Sequence, residues 1–308
     1  MRIVEFTEEL LSQVRRVANL SLHEDTITDA SLRRITFEDP NYNGRYSLVA
    51  LKNGEVAGFV IGVRRLKEPT EVVEAQRDFA WIKLFAVRED CRRKGVAKAL
   101  FNELENRLRE DGVKRIRVSD YPFWYLFSGV DLKYEDAIEF LSRRGFRKAG
   151  ETVDYEIDLL RFHVPKRVAS ISVSPLTIRR AKHEDRERVF KWIKTEFSVF
   201  WAYEADASFK HACPKLWMAE ENDRIIGFSV YGAIEPHWFG PIGVSTEARS
   251  KGVGSILLFN CLKSMREEGQ RHAVVPWTSH LFFYTQVPGI TRIRHYWVME
   301  KTLFVERI

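Results

Sequence analysis

The hexapeptide Arg249-Ser250-Lys251-Gly252-Val253-Gly254 carries the residue types needed to hold a phosphate anion. It lies between a strand-like run, 238–244, and a helical run, 255–268. A glycine-bearing loop ahead of a helix turns several backbone N–H groups toward one point. The unpaired N–H groups and the positive dipole end of the helix add to them. Gly252 and Gly254 keep Cβ atoms away from that point and allow positive φ. Arg249 and Lys251 add charge. The same residues also suit a solvated turn before a helix, but the strand–loop–helix context is the one the anion site requires. The loop lacks the Gly-Lys-Ser/Thr ending of a P-loop and the three glycines of a dinucleotide loop.

The elements around the loop occur twice. Ala50, Asn53, Gly58 and Phe59 recur at one constant offset as Ala219, Asn222, Gly227 and Phe228. Gly95 and Gly112 recur at a smaller offset as Gly252 and Gly269, so the first half carries extra residues within Arg64 to Phe79, expected as an exposed loop. Between those glycines, Leu100, Phe101, Leu104, Leu108 and Leu257, Leu258, Cys261, Leu262, Met265 give each half an amphipathic helix, stopped by Gly112 or Gly269. Hairpin strands are expected at 47–51 and 56–63 around Asn53-Gly54, and at 216–220 and 225–231 in the second half. Helices are expected after Thr7, within Asp29–Phe37 and over Glu184–Glu196, and Ser198–His211 is expected as an aromatic-rich helical or loop region. A chain of 308 residues is long enough for two domains. They are expected at 1–165 and 170–308, and the run 168–173 has the composition of a bridging strand.

The string Gly240-Pro241-Ile242-Gly243-Val244, then Arg249 to Gly254, then Phe283-Tyr284 ahead of Pro288-Gly289, resembles the GNAT superfamily of N-acetyltransferases. The resemblance implies an α+β fold, in tandem: two mixed, mostly antiparallel sheets, each flanked by helices. It implies acetyl-CoA as co-substrate and an amine acceptor on a small molecule or peptide. Ile242, Gly243 and Val244 would polarise the thioester, and Arg249, Ser250, Lys251, Gly252, Val253, Gly254 and Ser255 would hold the pyrophosphate. Tyr284 falls at the family's tyrosine and is the expected general acid, since a phenol is protonated at neutral pH. Glu235 is the candidate base, His237 a weaker one, and an amine deprotonated through water needs neither. Trp277, Thr278 and His280 are expected at the acceptor cleft.

The first copy departs from this pattern. Its strand end Phe85, Ala86, Val87 and its loop Arg92-Arg93-Lys94-Gly95-Val96-Ala97 keep the cofactor features, with alanine for the second glycine. Leu141 stands where the tyrosine would be, so this copy is expected to be degenerate in catalysis while still binding acyl-CoA, unless Tyr134 or Tyr125 substitutes. The alternative for the whole chain is a non-catalytic acyl-CoA-binding or regulatory module.

Composition narrows the field. Hydrophobic residues at 45% and charged residues at 30% describe a globular protein. No apolar run is long enough for a membrane span, and the start lacks a signal-peptide pattern. Cys91, Cys213 and Cys261 are odd in number and scattered, which argues for a reducing, cytoplasmic setting without a disulfide framework. No metal-ligand spacing occurs. The net charge of +6 comes with scattered arginine pairs rather than a basic stripe, so no nucleic-acid partner is expected.

Overall fold

The computed structural model describes residues 1–171 and 175–304. The chain divides into two compact units: Met1–Thr152 together with the segment from His295 onward, and Val153–Arg294. Each is a mixed sheet with helices on its faces, mostly antiparallel, as the fold class expected.

In the first unit the elements run β1 (Arg2–Glu5), α1 (Leu11–Ser21), α2 (Asp29–Arg34), β2 (Ser47–Lys52), β3 (Glu55–Val63), α3 (Thr70–Val73), β4 (Phe79–Val87), α4 (Val96–Glu110), β5 (Arg115–Val118), β6 (Val130–Asp131) and α5 (Glu135–Arg143). Strand β7 (Arg147–Asp158) then carries the chain into the second unit. Strands β1 to β4 pair antiparallel in sequence order, and β4 pairs parallel with β5. Alternate residues of each strand face opposite sides. Leu48, Ala50, Val60 and Ile82 pack on the apolar stripe of α4, which buries Leu100, Phe101, Leu104 and Leu108. Val49, Phe59, Ile61 and Leu84 pack on the other side against Val14 and Val17 of α1 and Leu32 of α2. Each such buried side chain stabilises the fold by roughly 1.5–3 kcal/mol relative to exposure. Thr28 caps α2 by accepting the Ser31 N–H at 3.0 Å.

In the second unit the order is α6 (Lys166–Ala169), β8 (Thr177–Arg180), α7 (Arg186–Glu196), α8 (Val199–Ala207), β9 (Leu216–Glu221), β10 (Arg224–Tyr231), β11 (Phe239–Val244), α9 (Val253–Glu267), β12 (His272–Thr278), α10 (Leu281–Tyr284) and β13 (Ile290–Thr302). Strands β8 to β11 form an antiparallel sheet, and β12 pairs with Val153–Asp158 of β7. The end of β13 belongs to the first unit, where Met299–Thr302 pair antiparallel with β5 and Tyr296–Trp297 with β6. Of the run 168–173, the start lies in or just after the helical turn α6, and 172–174 fall outside the described residues. The extra segment within Arg64 to Phe79 is not wholly exposed: it holds α3, and Arg65 is buried at its start.

The duplication extends to backbone angles. The β2–β3 turn holds Asn53 and Gly54 at φ 53° and 83°, and the β9–β10 turn holds Asn222 and Asp223 at 49° and 62°. Both central residues of each turn are left-handed, the geometry that matches the twist of a two-residue hairpin.

Candidate active site

The first unit contains an open cleft where two parallel strands separate. Strands β4 and β5 stay paired through Ile82 and Val118, and the Ser119 N–H donates to Ile82 O at 2.8 Å. Ser119 and Asp120 then adopt φ of 63° and 51°, which turns the chain away from β4. Along β3 the register shifts between Ile61 and Gly62, leaving Lys83 as the extra residue of a bulge on β4. The edge of β4 from Lys83 to Val87 therefore has no strand on the β5 side. It lines a cavity of about 580 Å³ that extends to the start of α4. Of the residues expected at a cofactor, Phe85, Ala86, Val87, Arg92, Arg93, Gly95, Val96 and Ala97 line this cavity; Lys94 stands exposed beside it, its Nζ donating to Asp90 O at 2.6 Å.

The two glycine loops expected at a cofactor have the same backbone shape. Arg93 and Gly95 lie at φ 59° and 83°, Ser250 and Gly252 at 63° and 79°, and each glycine directly precedes the first residue of its 15-residue helix. Only their surroundings differ. A methyl group placed on Gly95 would meet no atom within 4 Å. One placed on Gly252 would lie 2.8 Å from Ile171 Cδ1, and one on Gly254 3.5 Å from the Phe283 ring. One on Gly243 would lie 2.5 Å from the Phe197 ring. Apolar side chains thus rest against the three glycines that a cofactor would approach in the second unit. Ile242 is partly buried among apolar neighbours, Val244 O accepts the Arg249 Nε–H at 3.3 Å, and Ser255 Oγ donates to Gln286 Oε1 at 2.7 Å. Val253 is buried and Lys251 exposed. Strands β11 and β12 meet at one parallel bridge, Trp238 to Val274, and a register shift on β10 lies opposite Gly240 and Pro241.

Tyr284 lies at the end of α10, only 6% exposed, among Tyr155, Phe239 and Phe283. Burial pushes its phenol well above the usual range. Glu235 is half-buried in the turn before β11, where its carbonyl accepts the Trp238 N–H at 2.9 Å. His237 stacks on His272 at 5.8 Å, and burial lowers its pKa. Trp277 and Thr278 close β12, with the Trp277 N–H donating to Asp154 Oδ1 at 2.8 Å, and the His280 N–H donates to Thr278 Oγ1 at 3.0 Å. None of these residues lines the cavity of the first unit.

That cavity has phenols of its own. Leu141 is fully buried in the core, but Tyr134 and Tyr296 both line the wall. Tyr134 precedes α5; its hydroxyl donates to Asp25 Oδ2 at 2.6 Å and accepts the Glu24 N–H at 3.1 Å. His23 packs edge-on against its ring, centroids 5.1 Å apart. Ser21, at the end of α1, donates to Val87 O at 3.1 Å and so fixes the loop over the end of β4. Tyr125 is buried and does not line the cavity. The α1–α2 loop and Tyr296 gave no signal in the sequence, because neither is near the anion loop along the chain.

The bulge residue is itself unusual. The Lys83 ammonium lies 2.5 Å from Asp39 Oδ2 and 2.6 Å from Ile35 O, and over the Tyr121 ring at 4.6 Å. Its side chain is 1% exposed and that of Asp39 0%. Burial lowers the Lys83 pKa to about 8 against the pull of Asp39. Among the described residues no cluster of side chains is suited to a metal ion, and no helix is long and apolar enough to cross a membrane.

Comparison with known proteins agrees with this architecture. A family model described as the acetyltransferase (GNAT) family matches residues 12–146 and 183–280. Among solved structures, the chain is similar to the GCN5-related glucosamine N-acetyltransferase region of a fungal multi-domain GH3 β-N-acetylglucosaminidase. That match has a TM-score of 0.80 and 18% identity over 97% of this chain, and spans 38% of the fungal chain. A GCN5-related N-acetyltransferase from Sphaerobacter thermophilus matches with a TM-score of 0.74 and 13% identity, over 99% of this chain and 96% of that one. A tandem GNAT protein from the clavulanic acid biosynthesis pathway matches with a TM-score of 0.68 and 12% identity, over 99% of each chain. At these identities the likeness is one of fold. No curated protein matches the chain.

Proposed function

This chain belongs to the GNAT family of acetyltransferases, and from that premise we propose that it is an acetyl-CoA-dependent N-acetyltransferase whose working cleft lies in the first unit. The observation that carries this reading is the contrast between the two anion loops: the same backbone shape, open at Gly95 and covered by Ile171 and Phe283 at Gly252 and Gly254.

The residues around the cavity suit each part of acetyl transfer. The pyrophosphate of the co-substrate fits the N–H groups from Arg93 to Ala97 at the start of α4, beside the exposed cations Arg92, Arg93 and Lys94. The pantetheine would lie along the free edge of β4 and bring the thioester to Phe85, Ala86 and Val87. Backbone N–H groups there would stabilise the oxyanion of the tetrahedral intermediate. Holding both reactants turns an encounter in solution into a local event. Tyr134 is the acid that protonates the departing thiolate, with the Glu24 N–H steadying the phenolate left behind. On this reading Tyr284 is a packing aromatic and Glu235 a turn residue. The second unit then supports the fold rather than the reaction.

The acceptor is a primary amine on a small molecule or peptide. The glucosamine named for the fungal relative makes that sugar one member of a sensible panel. A non-catalytic acyl-CoA-binding module is the second reading, favoured by Leu141 at the tyrosine position. The two separate when the full chain is incubated with acetyl-CoA and amines (glucosamine, polyamines, peptides with a free N-terminus) and free thiol is followed. Amine-dependent thiol release supports the enzyme; tight acetyl-CoA binding with no release for any amine supports the module.

A further inference from the structure

Acetyl transfer in the first cleft leaves one proton without a destination, the one on the acceptor ammonium. A base assigned to it rests on the same reading of that cleft. The strand register shows what stands across from the expected thioester. Along β13, Met299 pairs with Val118 at the end of β5, and Trp297 and Tyr296 pair with Val130 and Asp131 of β6. Strand β6 therefore continues the line of β5 after the 119–129 excursion, which the Ser119 hydroxyl closes by donating to Gly129 O at 3.3 Å. Val118 is also the residue level with Ile82 of β4. Counted along β13 from Met299 to Tyr296, Asp131 lies three positions beyond that level, as Phe85 does along β4. With the bulge at Lys83, Asp131 stands across the gap from Phe85 and Ala86, and all three residues line the cavity.

Asp131 and Tyr296, being directly paired, project from the same side of the ladder, and both line the cavity. The other carboxylates on the wall, Glu135, Asp136 and Glu139, stand exposed on α5, whereas Asp131 is 4% exposed. Its Oδ1 accepts the Lys133 N–H at 2.9 Å, which fixes the carboxylate, while the Lys133 ammonium pairs with Glu24 Oε2 at 3.3 Å. The attraction of a carboxylate for an ammonium is several times stronger away from water than in it. We propose that Asp131 receives the acceptor as an ammonium ion and is the general base that takes its proton, with the Tyr296 hydroxyl beside it to contact the same amine. The acceptor is thus a cationic amine, and its selection over neutral or anionic nucleophiles rests on this carboxylate. The titratable groups that share the wall with it are Tyr296 from β13, Lys133 and Tyr134 from the turn after β6, His23 from the α1–α2 loop, and Lys83 from β4, whose ammonium is turned to Asp39.

The step balances. Asp131 accepts one proton from the ammonium, and the neutral amine attacks the thioester carbonyl carbon. The C–N bond forms, the C–S bond breaks, and the thiolate leaves with the Tyr134 proton. The second proton shed by the nitrogen restores the phenol through solvent, and Asp131 returns its own to water.

The test follows thiol release by the full chain with acetyl-CoA and three amines (glucosamine, spermidine and a peptide with a free N-terminus) as a function of pH, with acetyl-CoA affinity measured separately by calorimetry. With a carboxylate to take the proton, the ammonium form is used directly, so wild-type kcat/KM is expected to change by less than about threefold between about pH 6.5 and about 8. Asp131→Asn must draw on the small fraction of free amine. Its kcat/KM should fall at pH near 7 by about a hundredfold for a strongly basic amine, and by less for glucosamine. It should then climb by about tenfold per pH unit toward the pKa of the amine, with acetyl-CoA affinity unchanged. Asp131→Glu, which keeps the charge, should hold more of the neutral-pH rate than Asp131→Asn. The wild-type profile decides the matter even where substituting a buried carboxylate disturbs the fold. A wild-type rate that climbs about tenfold per pH unit through neutrality would overturn the assignment. So would a loss in Asp131→Asn that is equal at every pH, no loss at all, or a chain that binds acetyl-CoA yet acetylates none of the three amines. Failure to bind acetyl-CoA at all would instead remove the reading of the cleft beneath it.

Discussion

Replacing Lys83 by methionine keeps the length of the side chain but removes the ammonium paired with buried Asp39, leaving Arg65 as the other cation that acts on that carboxylate. The carboxylate is fully enclosed, and its Oδ1 accepts the backbone and side-chain N–H groups of Asn41, at 2.9 and 3.1 Å. Breaking a buried pair by removing one partner costs about 3–5 kcal/mol, because the remaining charge has lost both water and its directly bonded counter-ion. Replacing both partners is far milder, so Lys83→Met with Asp39→Asn should recover at least ~2 kcal/mol of that loss. Urea unfolding of the wild type, both single variants and the double variant closes the cycle. The pH dependence has a definite sign. The Lys83 pKa in the fold is about 8, below its unfolded value, so between about 8 and the ordinary lysine value the unfolded chain holds the extra proton. Wild-type stability therefore gains over Lys83→Met as pH rises through that window. A single variant within ~1 kcal/mol of wild type at neutral pH, or additive single effects, would show that the pair is not buried as described.

Acetyl-CoA should bind once per chain: Gly95→Glu is expected to abolish binding seen by calorimetry, and Gly252→Glu to leave it intact, although it should lower the melting temperature by crowding Ile171. Tyr134→Phe should lower kcat by about tenfold or more with little change in acetyl-CoA affinity. Tyr284→Phe should leave kcat within about twofold, because a phenol packed among Tyr155, Phe239 and Phe283 does not line the first cleft. The reverse pattern in those two tyrosines would move the working site to the second unit.

Much of the scaffold was legible because it is local. Asn53-Gly54 and Asn222-Asp223 need left-handed backbone wherever they turn a hairpin, and Gly95 and Gly252 need it to open their helices. Those requirements are written in neighbouring residues, so both anion loops and both long helices stood out. What covers a loop is not written beside it. Ile171 reaches Gly252 from the far end of the linker, and Phe197 reaches Gly243 from the residue before α8's cap. The family pattern singled out Phe283 and Tyr284, yet a motif does not say whether a ring lines a cleft or fills one.

The pairing of Met299–Thr302 with β5 has a consequence for how the protein is made. During synthesis the first unit emerges early, but its β5 edge stays bare until nearly three hundred residues have been translated. An unpaired edge is a template for the wrong partner. A gene cut between the halves would leave that edge permanently open, so a fragment ending near Thr152 should be sticky and poorly soluble. Adding residues 295–304 back as a separate peptide should restore it.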